Sequence, residues 1–246
     1  GMMIEDRTRT YTIAMERTVV PENFSFRMTD EEYRVLEKIK NSIPVCYLAD
    51  HADFALGIVT GNNKKFLSAE KTQHSEMVLK GTDICKYHIN PAKQYLRFEP
   101  EQFQQVAPLE IYRAPEKLLY RFISNQLVVA YDDRQMLSLN SCNIVIPKIE
   151  GMQIKYILAI LNSSVSQFVY QKEFHSIKVL RAHMEHIPIP RVGKAIQNEI
   201  IAMTEPLICG MGKEAAETCQ KRLDCRIMDL FRLSAEEQWI IRHALH

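Results

Sequence analysis

The spacing of hydrophobic positions changes along the chain. Between residues 45 and 147 they come in short runs separated by Gly, Asn, Asp and Pro: 45–48, 54–59, 65–67, 95–98, 118–123, 127–131 and 143–146. Runs of this length between turn residues predict strands. Ser124-Asn125-Gln126 predicts a hairpin turn, and Asp132 to Gln135 separate two further strands. Residues 54–67 read as a strand, a polar turn at Gly61-Asn62-Asn63 and a second strand. After Gly151 the period becomes helical, with Ile154, Ile157, Leu158, Leu161 and Val165 on one face. Helices are also predicted over 195–208 and 214–231, the second turning Ala215, Leu223, Ile227 and Leu230 to a core. Two capping boxes mark helix starts. Thr29 with Glu32 opens a helix through Tyr33, Leu36 and Ile39 that stops before Pro44; Ser234 with Glu237 opens a last one carrying Trp239, Ile240 and Ile241. Residues 1–28 are polar and weakly patterned, an edge strand or a loose arm. The expected fold is α+β: a mixed, largely antiparallel sheet flanked by helices, with a helical C-terminal tail. Its expected parts are an arm and lead-in helix (1–44), a central domain (45–193) and the tail (194–246).

Composition narrows the function only a little. The 246 residues are 46% hydrophobic, enough for a sizeable core, and 31 basic against 30 acidic residues leave a formal net charge of +1. A neutral chain gives no global pull toward nucleic acid, so only local charge can speak. Two islands stand out. Segment 64–97 has seven Lys/Arg against three acids, and segment 151–194 has six against two, a net +4 in each. None of the six cysteines forms a C-x-x-C pair, and no apolar run approaches a membrane span. The expectation is a cytoplasmic protein with reduced thiols and no membrane partner.

Several chemistries are missing. Holding a flipped adenine for methylation requires an Asn/Asp-Pro-Pro-aromatic string. The nearest here, Asn90-Pro91-Ala92-Lys93, lacks the second proline and the aromatic. The one G-x-G, Gly210-Met211-Gly212, falls between predicted helices. No lysine follows an acidic residue at the D/E-x-K spacing of restriction nucleases. His175, His183 and His186 lie close in sequence but match no metal-ligand spacing. Ser163 and Ser164 lack a nucleophile elbow. The sequence therefore calls for no catalytic residue, no metal and no cofactor.

What remains is recognition chemistry. Asn62, Asn63, Lys64 and Lys65 place two amides and two amines in one turn, suited to base edges and phosphates; the plain alternative is a solvated turn. Lys86 and Arg97 belong to the first basic island. Arg113 and Arg121 stand among Tyr112, Tyr120 and Phe122, either pointing outward from core strands or reaching a groove. Asn140 begins a strand, where it also suits a turn.

Seven segments together resemble the TaqI-like C-terminal specificity domain. They read FALGIVTGNNKKFL (54–67), VLKGTDICKYHI (78–89), YLRFEP (95–100), LLYRFISNQLVVAYDD (118–133), LNSCNIVIP (139–147), YILAILNSSVSQFVY (156–170) and HIPIP (186–190). DLFRLSAEEQWII (229–241) resembles the closing helix pair of such enzymes. That domain is the target-recognition part of adenine-specific DNA methyltransferases and of fused restriction–modification enzymes of type IIG. The resemblance implies sequence-specific binding of double-stranded DNA. An adenine-specific methyltransferase or nuclease domain, in cis or in trans, would do the chemistry, so the chain itself would not be an enzyme. It also implies that Gly57 and Gly61 shape the opening hairpin and that Lys80 to Ile84 form the next turn. It transfers no base-reading residue. Two rivals stay open: a metal-dependent nuclease built on the three histidines, and a protein-interaction module that docks a DNA methylase.

Overall fold

A computed structural model of the chain describes residues 2–5, 10–13, 28–174 and 176–245. Strands β1 (Met2–Glu5) and β2 (Thr10–Ile13) form an antiparallel pair. The rest of the arm lies outside the described residues. Helix α1 (Asp30–Asn41) starts at the predicted capping box: Thr29 Oγ1 accepts from Glu32 N at 3.2 Å and Glu32 Oε2 accepts from Thr29 N at 3.0 Å. Its Val35, Leu36 and Ile39 are buried.

The central sheet has the order β4-β11-β8-β9, from β4 (Ala52–Ala55), β11 (Cys142–Pro147), β8 (Lys117–Arg121) and β9 (Val129–Asp132), all antiparallel. It is buried on both faces, and the alternation of side chains sorts its residues into two cores. Leu118, Tyr120, Val129, Tyr131 and Val145 face the helices. Leu119, Ala130, Cys142 and Ile144 face a second, smaller core. That core is closed by a second sheet, β10-β6-β7-β5, made of β5 (Leu67–Ser68), β6 (Ser75–Leu79), β7 (Gln94–Arg97) and β10 (Leu137–Ser138), with only β10 and β6 parallel. Val78, Leu96 and Leu137 fill it together with Phe66 and Tyr112. A short ladder pairs β3 (Val45–Cys46) with β12 (Ile189–Pro190). The architecture is the expected mixed, largely antiparallel α+β fold.

Residues 54–67 do not form a hairpin. Strand β4 pairs with β11, β5 pairs with β7, and between them Asn63–Phe66 is a single helical turn, α2. The Asn62 side chain accepts from Lys65 N at 3.2 Å, so the asparagine caps a helix where a reverse turn was expected.

Strand β9 is an edge of the central sheet, and helices α4 (Ile154–Asn162) and α5 (Ser164–Glu173) cover it. Asn162 Oδ1 accepts from Val129 N at 3.1 Å and its Nδ2 donates to Val129 O at 2.8 Å. Gln167 treats Leu127 the same way, both bonds at 2.9 Å. These two buried amides, with the backbone of Tyr87, whose N donates to Val129 O at 2.7 Å and whose O accepts from Tyr131 N at 3.1 Å, complete the ladder that a neighbouring strand would supply. Leu127 and Val128, expected to be strand, lie just before β9, although Val128 O still accepts from Arg121 N at 3.0 Å. Ser163 ends α4 and caps α5 by accepting from Ser166 N at 3.2 Å.

The tail forms α7 (Lys194–Cys209), α8 (Lys213–Leu230) and α9 (Ala235–Ala244), after the short α3 (Leu109–Tyr112) and α6 (Arg181–Glu185). Ile200, Leu207, Leu223, Ile227, Phe231 and Ile241 join the same core as α1, α4 and α5. Ala215 is exposed; its neighbour Ala216 packs on the core, because one residue turns a helix by about 100°. Ion pairs Lys38–Glu237 (2.6 Å) and Lys172–Glu32 (2.7 Å) tie α1 to α9 and to α5.

Glycines 57 and 81 set how closely the two sheets approach. A Cβ on Gly57 would lie 2.1 Å from Leu139 O and 2.7 Å from Cys142 O. Gly57→Ala is therefore expected to destabilise by about 1–3 kcal/mol or more through overpacking against backbone. Gly193→Ser, at a helix N-cap with open space around it, should leave stability equal or higher. Urea unfolding of both variants checks this; equal midpoints would show that the backbone around Gly57 yields freely.

Candidate nucleic-acid interface

The predicted recognition residues fall into two groups. The first is tied into the scaffold. Arg121 Nε donates to Gly81 O at 2.9 Å and its NH2 donates to Ile84 O at 2.5 Å. Arg113 forks onto Glu76 at 2.6 and 2.7 Å and donates to Gln135 O at 2.7 Å. Lys86 is half-buried and donates to Asn162 O at 3.2 Å. Burial holds its amine below the ordinary lysine pKa, partly offset by Asp224.

Arg121 belongs to a larger knot. Around the turn 139–142, Ile58 N donates to Ser138 O (2.7 Å), Leu139 N to Leu79 O (2.8 Å), Asn140 N to Ile58 O (3.1 Å) and Phe122 N to Ser141 O (3.0 Å). Gly81 N donates to Ser141 Oγ at 2.9 Å, and Gly57 N to Asn143 Oδ1 at 3.3 Å. Asp83, buried, accepts from Lys80 N at 3.0 Å and fixes the 80–84 turn. Four of the ordered motifs meet here: F-A-L-G, K-G-x-D-I, Y-R-x-I-S and L-N-S.

The second group is exposed. Asn62, Asn63, Lys64, Lys65, Arg97 and Asn140 all lie at the surface. Asn62 and Asn63 use their side-chain oxygens locally, Asn63 accepting from Thr60 Oγ1 at 2.6 Å, and the NH2 of each is left available. Lys65 donates to Gln102 Oε1 at 2.6 Å, Gln102 donates to Glu99 at 2.7 Å, and Glu99 pairs with Arg97 at 2.7 Å. This chain of bonds brings Lys65 and Arg97 to one end of the second sheet. Asn140 sits apart, on the turn of the knot, where its N donates to Ile58 O.

Sequence reasoning missed the outer face of that sheet. The register places Ser68 beside Tyr95 and Tyr95 beside Met77, with Ser75 beside Arg97 in the next row on the same face. Met77 is 45% exposed, while Val78 and Leu96 on the other face are buried. The period-two alternation of Ser75 and Met77, and of Tyr95 and Arg97, carried this signal. The stretch 68–74, which joins β5 to β6, is exposed at every residue.

Among the described residues no group of three His, Cys, Asp or Glu side chains is placed to hold a metal. His175 lies outside the described residues. His183 stacks on Phe174 at 4.5 Å and accepts from Leu180 N at 3.2 Å, and His186 Nδ1 lies 2.6 Å from Ala182 O. Among those residues, too, no helix is long and apolar enough to cross a membrane.

Replacing Arg121 by Met should cost about 1–3 kcal/mol, because two carbonyls are left without their donor. Arg97→Ala should stay within about 0.5 kcal/mol of the parent, as an exposed pair contributes little. Denaturant unfolding separates the two; equal destabilisation would remove the distinction between strut and exposed cation.

The TaqI-like C-terminal specificity domain matches residues 76–189. No curated protein matches the chain. Among solved structures, the type IIL restriction-modification enzyme MmeI, in complex with DNA, is similar in fold: TM-score 0.53, 11% identity, covering 81% of this chain and 35% of that one. The HsdS subunit from Thermoanaerobacter tengcongensis matches with TM-score 0.43 and 14% identity, over 88% of this chain and 50% of that one. The type IIG restriction endonuclease BpuSI matches with TM-score 0.47 and 11% identity, over 91% and 35%. The chain spans half or less of the length of these three proteins. Over residues 76–189, somewhat less than half of its length, the chain is therefore similar to the TaqI-like C-terminal specificity domain.

Proposed function

We propose that the chain reads duplex DNA sequence for a restriction–modification system, while an adenine-specific methyltransferase or nuclease domain, in cis or in trans, carries out the reaction. The observation that carries this reading is the specificity-domain match over residues 76–189. Residues 45–193 form the recognition unit, and the chain contributes no catalytic group of its own. The DNA surface runs along one end and the outer face of the second sheet. Lys64 and Lys65 meet phosphates, and Asn62, Asn63 and Arg97 approach base edges. Met77 and Tyr95 add apolar and stacking surface, and Asn140 makes a separate contact from the knot. Amide, guanidinium and apolar groups together suit the major-groove pattern of donors, acceptors and thymine methyls. Arg113, Arg121 and Lys86 support this surface from within the scaffold.

Fluorescence anisotropy with duplex DNA over a range of salt tests the proposal. Removing one cation that meets a phosphate should flatten the slope of log affinity against log salt by about 0.9. Lys64→Ala with Lys65→Ala should therefore weaken binding and flatten the slope by about 2. An unchanged slope places this turn away from DNA. Absence of binding at low salt favours a module that docks a methylase.

A further inference from the structure

We propose that the cavity between α5, α8 and α9 is a binding site for a small phosphorylated ligand, gripped by Lys86, Lys221 and Arg242. Helix α8 borders two cavities: one of about 650 Å³ against α7, and this one, of about 520 Å³, which is the richer in cations. Three cations and one carboxylate, Asp224, line it. Asp224 is already engaged, accepting from Ser164 N at 2.9 Å and from Ser164 Oγ at 2.8 Å.

None of the three cations has a carboxylate within ion-pair distance among the described residues. Lys86 donates to the Asn162 carbonyl. Arg242 reaches Gln238 Oε1 at 3.2 Å, and otherwise only sulfur: Cys225 Sγ at 3.3 Å and Met228 Sδ at 3.8 Å. Sulfur is a weak acceptor. Elsewhere Lys38, Lys40, Lys117, Lys155 and Lys172 each meet a carboxylate at 2.5–2.7 Å, and among the described residues half-buried Lys80 is, like Lys86, without an ion pair. Asp224 offsets the burial of Lys86 only in part, and a half-buried amine without an ion pair is costly. An entering anion removes that cost, and the depressed proton affinity of Lys86 is its mark.

The charge selects the ligand class. A cavity with net charge +2 suits a dianion, and a phosphate monoester carries about −1.5 to −2 at neutral pH. The guanidinium supplies a planar fork and the two amines supply point charges, a usual phosphate-binding set. The volume lies within the ~300–1,000 Å³ of small-ligand sites, and amides from Gln126 and Gln171 are left to meet the rest of the molecule.

Thermal unfolding with inorganic phosphate as the probe tests the site, with sodium chloride at matched ionic strength as control. Phosphate at about ten times its Kd should raise Tm by about 3–6 °C, saturably, and chloride should not. Lys221 and Arg242 are both exposed, so Lys221→Gln with Arg242→Gln keeps the fold and should abolish the rise. Lys64→Ala with Lys65→Ala should leave it intact, which separates this site from the DNA surface. An equal rise in chloride, or a rise that survives in the Lys221/Arg242 variant, overturns the proposal. Titration calorimetry in the presence of duplex DNA decides the source of the phosphate. Unaltered phosphate binding supports a small ligand, and competition by the duplex overturns it in favour of the DNA backbone.

Discussion

The structure depends on the turn at 139–142 being packed backbone to backbone. Two segments from distant parts of the chain reach it through glycine, and neither approach leaves room for a side chain: a Cβ at Gly57 or Gly81 would come within 2.1 or 2.5 Å of a carbonyl oxygen of the turn. Because the packing is backbone on backbone, it also brings hydrogen bonds. Residues 58, 79 and 122 share the turn's amides and carbonyls, and Arg121 gathers two further carbonyls from the 81–84 turn. This knot fixes where the second sheet sits on the first. Both sheets then present their inner faces to one small core, and everything on the outer face of the second sheet takes its position from there.

Charge is buried where it reinforces that arrangement. Lys117 and Asp132 are opposite one another across β8 and β9, both fully buried, and meet at 2.5 Å. Burial lowers the Lys117 pKa and Asp132 works against it. The pair is also hydrogen-bonded around its periphery: Lys117 donates to Tyr112 O at 2.6 Å, and Asp132 accepts from Arg134 N and Met136 N, each at 2.9 Å. A buried pair satisfied in this way fixes register more than it adds stability. It holds the α3 turn and the β9–β10 connection against the end of β8, the side from which Arg113 reaches Glu76.

Most elements were legible in the sequence because their signals are local. Capping boxes at Thr29 and Ser234, helical spacing after Gly151, and short apolar runs bounded by Gly and Asn all report on neighbours within a few residues. The misreadings have a common cause. Asn62 looked like a turn residue and is a helix cap, because the partner of β5 lies about thirty residues away in β7. Leu127 looked like strand and is held by a glutamine from a helix forty residues on. Arg113 and Arg121 looked free because their acceptors are carbonyls and a carboxylate from other segments, which no spacing rule encodes. The exposed row of Tyr95 and Met77 was encoded in plain alternation, but two short strands carry little of it each.

The same division explains what a shared family can and cannot convey. The segments that carry the resemblance include the glycines, the arginine and the Leu-Asn-Ser turn of the knot, together with Asn162, whose amide closes the edge of β9. Their neighbours leave each of them little latitude. Lys64, Lys65, Arg97 and Met77 lie outside that mesh, on surface whose side chains contribute little to folding. Substitution there therefore costs little stability, whereas the residues of the knot are held by their neighbours. The resemblance thus rests on residues that build the scaffold, and the exposed side chains at the end and on the outer face of the second sheet stand outside that mesh.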